Sequence, residues 1–281
     1  MFNGCNSLQE LSLPFVGDKA DTNYSISGFG YIFFDQYRPI DDYSEYIPES
    51  LISVTVRGNS VFSTLMYGAF SGAENVKEVT LGEKVTWLRN GSLTGLSALE
   101  KFTFTVPTII LSDTFATWFE GSVPRSLKTV IMNGCSGDSA NNDRLNELKE
   151  CKNLQSLTIN NVTEISSGIL KGHTSLTDLI LGDEVTTIGE NAFYGCKLNW
   201  VIIGKNVSTV GSGAFANNTA LNTIYYRGSV EEWTNNSLSD AFSPEATVYF
   251  YSETEPTDMQ NNYWHYADDG VTPVIWTKET I

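Results

Sequence analysis

The side chains able to do chemistry are few and scattered. Only two histidines occur, His173 and His265. A Ser-His-Asp arrangement would have to use one of them, and no G-x-S-x-G accompanies either. The metal-binding spacings H-E-x-x-H and C-x-x-C are missing. "GFG" at 28–30 lacks the G-K-[ST] that completes a phosphate cradle. "DSANND" (138–143) and "DDG" (268–270) carry carboxylates without calcium-loop spacing. Any two of the 33 Asp and Glu residues could still meet as a catalytic pair. The expectation is a protein that is not an enzyme, with no catalytic residue, no metal and no cofactor. A net charge of −16 argues against nucleic acid and anionic lipid, whose phosphates need Lys and Arg clusters.

The elements that would position such residues are unusually legible, because the chain repeats itself. In "LTDLILGDEVTTIGENAFYGC" apolar residues fall at Leu176, Leu179, Leu181, Val185, Ile188, Ala192, Phe193 and Cys196. The next unit fills the same slots with Leu198, Val201, Ile203, Val207, Val210, Ala214, Phe215 and Asn218. The preceding one uses Leu154, Leu157, Ile159, Val162, Ile165, Ile169, Leu170 and His173. An earlier copy runs from Val76 through Val79, Leu81, Val85, Leu88, Ser92 and Leu93 to Leu96. Leu154, Leu176, Leu198 and Leu221 lie 22, 22 and 23 residues apart, a solenoid period. Degraded copies open at Leu51, Leu99, Leu127 and Leu221. "LTDLIL" alternates with period two and reads as a strand with one buried face. Gly182 and its polar neighbours make a turn. "VTTI" is a second short extended piece, and "GENAF" a short helical turn. One coil cannot offset its own ordering entropy, so the coils should fold only as an array.

The pattern L-x-x-L-x-L-x(3)-V-x-x-I-x(3)-A-F-x-x-C resembles the BspA-like leucine-rich repeats of bacterial and protist surface proteins. The resemblance covers residues 1–226 and is most specific over 154–224. It implies an α/β fold: a right-handed leucine-rich-repeat solenoid, strand-rich with short helical turns. It also implies extracellular or cell-surface exposure and protein binding or adhesion, with no catalytic residues. "FNGCNSLQELSL" joins the tail of one unit to the strand of the next. The chain is therefore expected to be N-terminally incomplete, and the lack of a signal peptide in it says little about destination. No run of 18 apolar residues is present.

Three stretches break the period. Residues 14–50 insert a segment whose Phe29, Tyr31, Ile32, Phe33 and Phe34 must pack, either as a flap on its own coil or as a partner-binding loop. "SDTFATWF" (112–119) and "DRLNELKEC" (143–151) read as short amphipathic helices. After Tyr226 the pattern gives way to an aromatic-rich tail. There "SVEEWTNN" is a helical turn with Trp233 inward, and "ATVYFYS" and "TPVIWT" are strands. We read residues 1–226 as the solenoid and 227–281 as its C-terminal cap. Most of the tail aromatics are expected in the cap core, with a carbohydrate platform as the alternative. Cys5, Cys151 and Cys196 share one repeat slot and are expected as small buried hydrophobes. Cys151 and Cys196, two coils apart, would be separated by about 10 Å, beyond the roughly 7 Å a disulfide allows.

The strand face offers the sharpest clue to a partner. The residue between the last two apolar positions of L-x-x-L-x-L points away from the interior. Stacked coils then align Thr80, Thr103, Ile131, Thr158, Ile180, Ile202 and Tyr225. The adjacent row holds Ser53, Glu78, Lys101, Thr129, Ser156, Asp178, Trp200 and Thr223. Ile131, Asp178, Ile180, Trp200, Ile202 and Tyr225 are the candidate partner-binding residues; Ile180, Ile202, Trp200 and Tyr225 make an outward apolar cluster that the tail could also cover. The expected partner is a protein, with a glycan as alternative; a spacer that presents another domain is the third reading.

Overall fold

The computed structural model describes residues 2, 4–14, 47–59, 64–85, 87–105, 115–134, 145–257 and 260–277. Most of the 14–50 insertion, Cys135, "GFG" and "DSANND" lie outside the described residues. The chain forms two compact units, residues 1–154 and 155–281.

In residues 1–154 the L-x-L positions become strands β1 (Glu10–Leu13), β2 (Ser53–Val56), β4 (Glu78–Leu81), β6 (Lys101–Thr105) and β7 (Thr129–Asn133). They pair in parallel in the order β1-β2-β4-β6-β7. Register puts Val54, Val79, Phe102 and Val130 in one buried row. The second extended pieces pair as β3 (Thr64–Leu65) with β5 (Trp87–Leu88). Helix α1 (Phe115–Trp118) is a single turn. Its Phe115 and Trp118 pack against Phe104 at ring separations of 5.9 and 5.6 Å. This large aromatic layer fills the wider coil that the irregular spacing demands. Leu145, Leu148 and Cys151 are buried along a helical stretch ending in the 3₁₀ turn Leu148–Glu150.

Residues 155–281 repeat the plan more regularly. Strands β8 (Ser156–Asn160), β10 (Asp178–Leu181), β12 (Trp200–Ile203), β14 (Thr223–Tyr226) and β15 (Thr247–Tyr251) pair in parallel. Leu157, Leu179, Val201, Ile224 and Val248 therefore share a register row. Strand β16 (Tyr263–Tyr266) adds in parallel and β17 (Pro273–Ile275) antiparallel. A second sheet of β9 (Glu164–Ile165), β11 (Thr187–Ile188) and β13 (Thr209–Val210) closes the other side. Here Thr186 and Ser208 each donate a side-chain bond to a carbonyl one coil back. Val210 is only half-buried because β13 is an edge strand.

This parallel, strand-rich stack of coils is the solenoid that the period implied, with the leucine-rich-repeat plan that the resemblance implied. One local expectation is corrected. "GENAF" is a run of turns rather than a helical turn, because Asn191 within it sits at φ 54°, and Gly195 closes the run at φ 67°. Its backbone bonds reach the next coil instead, from Asn191, Phe193 and Gly195 N–H groups to Ser212, Ala214 and Ala216 carbonyls. The coil turns also stack backbone on backbone. A Cβ at Gly204 would stand 2.2 Å from the Gly182 carbonyl oxygen, so only glycine fits. After Tyr226, α2 (Val230–Asn235) carries a Ser229–Glu232 capping box and turns Trp233 inward against Tyr226 and Phe250.

Candidate functional site

Strand alternation fixes the outward rows. Asp178, Trp200 and Thr223 are direct neighbours across β10, β12 and β14. Thr158, Ile180, Ile202, Tyr225 and Tyr249 form the adjacent row. Ile131 occupies the corresponding outward position of β7 in residues 1–154 and is half-buried. In residues 155–281 the structure thus brings together Asp178, Ile180, Trp200, Ile202 and Tyr225.

Their burial is not uniform. Asp178, Ile180 and Trp200 are half-buried, whereas Ile202 has 0% exposure and Tyr225 9%. The cover comes from the tail. Pairing of Tyr251 with Trp264 places Trp264 on the outer face of the sheet, where it packs against Tyr225, Tyr251 and Tyr266 at ring separations of 5.3, 5.2 and 4.8 Å. Trp264 is itself fully buried and donates its indole N–H to the Tyr226 carbonyl at 3.1 Å. It belongs to the cluster with Ile202 and Tyr225 against which Ile180, Trp200, Tyr249 and Tyr266 pack. Trp264 is thus a core residue of the hairpin, as most tail aromatics were expected to be, and presents no free ring face to a sugar.

A polar pin holds the hairpin down. The Arg227 guanidinium donates to the Tyr266 hydroxyl, with Nε at 2.7 Å, and reaches Asp183 Oδ1 at 3.4 Å. Asp183 Oδ1 also accepts from the Lys205 N–H. On the other side of β16, the His265 ring packs against Trp276 at 4.1 Å with a tilt of 31°, and the Trp276 indole donates to the Ser252 carbonyl. Neither Trp264 nor Tyr266 was singled out from sequence as covering the strand face. The available signal was their spacing of two in "NYWHY", which puts both on one side of a strand.

The electrostatics of the open part are simple. Partial burial pushes the Asp178 carboxyl above its ordinary value, opposed by a hydrogen bond from the Thr177 side chain. Burial likewise raises the Tyr225 phenol. The ring of Trp200 meets Tyr225 edge-on, 6.2 Å between centroids at 72°.

The remaining reactive groups do structural work. Cys196 is buried and its thiol donates to the Leu170 carbonyl at 3.3 Å; burial raises its pKa to about 11. Cys151 is raised to about 12 by burial. It borders a cleft of about 470 Å³ with Ala116, Pro124, Arg125, Glu150 and Lys152. A thiol so rarely ionised is a poor nucleophile. Cys5, expected to be buried in the same slot, is exposed; it lies just before β1, the edge strand of its sheet among the described residues. In that slot Asn218 donates to the Phe193 and Phe215 carbonyls at 2.9 Å and accepts from the Leu198 N–H at 3.1 Å. His173 fills the same slot and lies 3.4 Å from the Ser175 hydroxyl. Among the described residues no group of three or more His, Cys, Asp and Glu side chains is placed to hold a metal, and no helix is long and apolar enough to cross a membrane.

The BspA-type leucine-rich repeat region matches residues 32–122 and 145–261 in six copies. No curated protein matches the chain. Among solved structures, a leucine-rich cell surface protein of Faecalibacterium prausnitzii is 18% identical, with a TM-score of 0.31, over 99% of this chain and 59% of its own. The chain therefore spans under two thirds of that protein's length. A leucine-rich repeat protein of Eubacterium ventriosum is 18% identical over 74% of this chain and 68% of its own, TM-score 0.26. The pneumococcal vaccine antigen PcpA is 15% identical over 73% and 67%, TM-score 0.27.

Proposed function

Since the chain belongs to the BspA-type leucine-rich repeat family, we propose that it is a surface-displayed or secreted repeat protein that binds other proteins and performs no catalysis. The contact is made by the outer strand face of residues 155–281. Asp178, Ile180 and Trp200 touch the partner, while Ile202 and Tyr225, covered by the hairpin, hold them in place. Ile131 offers the equivalent position in residues 1–154. Residues 1–226 serve as the repeat scaffold and 227–281 as its cap. The observation that carries this reading is a half-buried Trp and a half-buried Ile, diagonal to each other on adjacent strands of an outward sheet face and packed on one cluster, the kind of apolar surface that marks contact sites.

The test is surface plasmon resonance of the full chain against a panel of purified extracellular proteins, with Trp200→Asp as the interface variant. Circular dichroism serves as the fold control. A partner response lost at least about tenfold, as expected when an aromatic anchor is removed, supports the face. Equal binding by wild type and variant removes it. Ile202→Asp is unsuitable here, because it would bury a charge at a fully covered position.

A further inference from the structure

We infer that Asp178 and Trp200 together form a seat for an arginine or lysine side chain of the protein partner. This rests on the binding reading above and names the chemistry of its contact. The two residues are register neighbours on adjacent parallel strands, which lie about 4.8 Å apart. Trp200 is flanked on its far side by Tyr225, which holds the indole in place edge-on. Tyr225 is in turn fixed by Trp264. The ring is thus pre-positioned beside the carboxylate. Ile180, two residues along β10 from Asp178, supplies an apolar floor for the alkyl stem of a long cationic side chain.

Among the described residues no cation pairs with the carboxylate. The ion pairs among the described residues engage Lys77, Lys101, Lys152 and Arg227, and none reaches Asp178. Arg227, on the neighbouring β14–α2 connection, is committed to Asp183 and Tyr266. Partial burial without a counter-charge leaves Asp178 under-solvated, consistent with its raised pKa. A guanidinium placed there gains a charge-assisted hydrogen bond and a cation–π contact. The planar Arg fork suits the pair better than the Lys point charge. The chain's charge of −16 steers basic partners toward it. A sugar could also stack on Trp200, but neither steering nor the unpaired charge would favour it.

The probe is the pentapeptide acetyl-Gly-Gly-Arg-Gly-Gly-amide, titrated into full-length chain labelled with 5-fluorotryptophan. The Trp200 fluorine resonance is assigned with Trp200→Phe. We expect a saturable shift of that resonance, and none with the citrulline analogue, which keeps shape without charge. Asp178→Asn should weaken binding at least about tenfold, the low side of a charged hydrogen bond. Glu231→Gln, an exposed control on α2 with the same charge change, should leave it unchanged. Equal weakening by both variants would reduce the effect to net charge and overturn the seat. So would a Trp200 shift with cellohexaose and none with the arginine peptide, which would point to a glycan. If Trp200→Asp abolishes partner capture while Asp178→Asn leaves capture and peptide response unchanged, the binding face stands and the cation seat falls.

Discussion

Replacing Trp264 with alanine removes the side chain that closes the outer face of the 155–281 sheet. The indole is fully buried and donates one hydrogen bond to the Tyr226 carbonyl. A buried aromatic of this size covers about 150–250 Å², and at about 25 cal/mol per Å² its burial contributes about 4–6 kcal/mol. Large-to-small measurements for Trp give about 3–5 kcal/mol. The two routes agree near 4–5 kcal/mol. In a repeat stack such a loss acts on the adjacent coils rather than on the whole chain. The hairpin should therefore detach before distant coils unfold. Hydrogen exchange with mass-spectrometric readout checks this. Backbone amides of β14 and β15 should exchange about 10³-fold faster in Trp264→Ala, since each 1.4 kcal/mol is worth tenfold, while those of β8 keep their wild-type rates. An increase below about tenfold at Tyr225 and Tyr249, with an unchanged urea midpoint, would refute the view that Trp264 seals Ile202.

Asn218→Ala leaves the Leu198 N–H and two carbonyls of neighbouring turns without their partner, so urea denaturation should show a loss of about 2–3 kcal/mol. Asn218→Cys should lose less, because the same slot already accepts a thiol at Cys196, which donates to a carbonyl one coil back. Glu232 is held below its ordinary 4.5 by the Ser229 backbone N–H and hydroxyl. A depressed carboxylate stabilises the fold above its unfolded value and loses that contribution as pH falls through the folded one. The urea-midpoint gap between wild type and Glu232→Gln should therefore be widest near neutral pH and close as pH drops below 4.5; a gap independent of pH would disprove the capping role.

Strand positions and interior slots were readable because they obey two periods at once. Alternation decides which side of a strand is buried, and the coil repeat decides which residues stack. Leu179 and Val201 had to meet once both held, and they do. Turn conformation was less readable. "GENAF" reads as a short helical turn, yet Asn191 takes a left-handed φ and sends its N–H to the next coil. Composition says nothing about whether a donor is satisfied within a segment or by a neighbour. Cys5 and Asn218 show the same boundary: the shared slot was visible, but not that one copy would be exposed and another would bond to the backbone around it.

Sequence by itself determined the repeat, its buried rows and the residues that face outward, since these follow from spacing along one strand and one coil. Only the tertiary structure decided which outward residues remain accessible. Ile180 and Ile202 occupy equivalent positions, yet Ile202 is sealed and Ile180 is not. The difference lies in Trp264, far along the chain, and in the Arg227 pin that seats its hairpin. Burial on a sheet face depends on what folds back over it, and no local period encodes a contact between segments so distant in sequence.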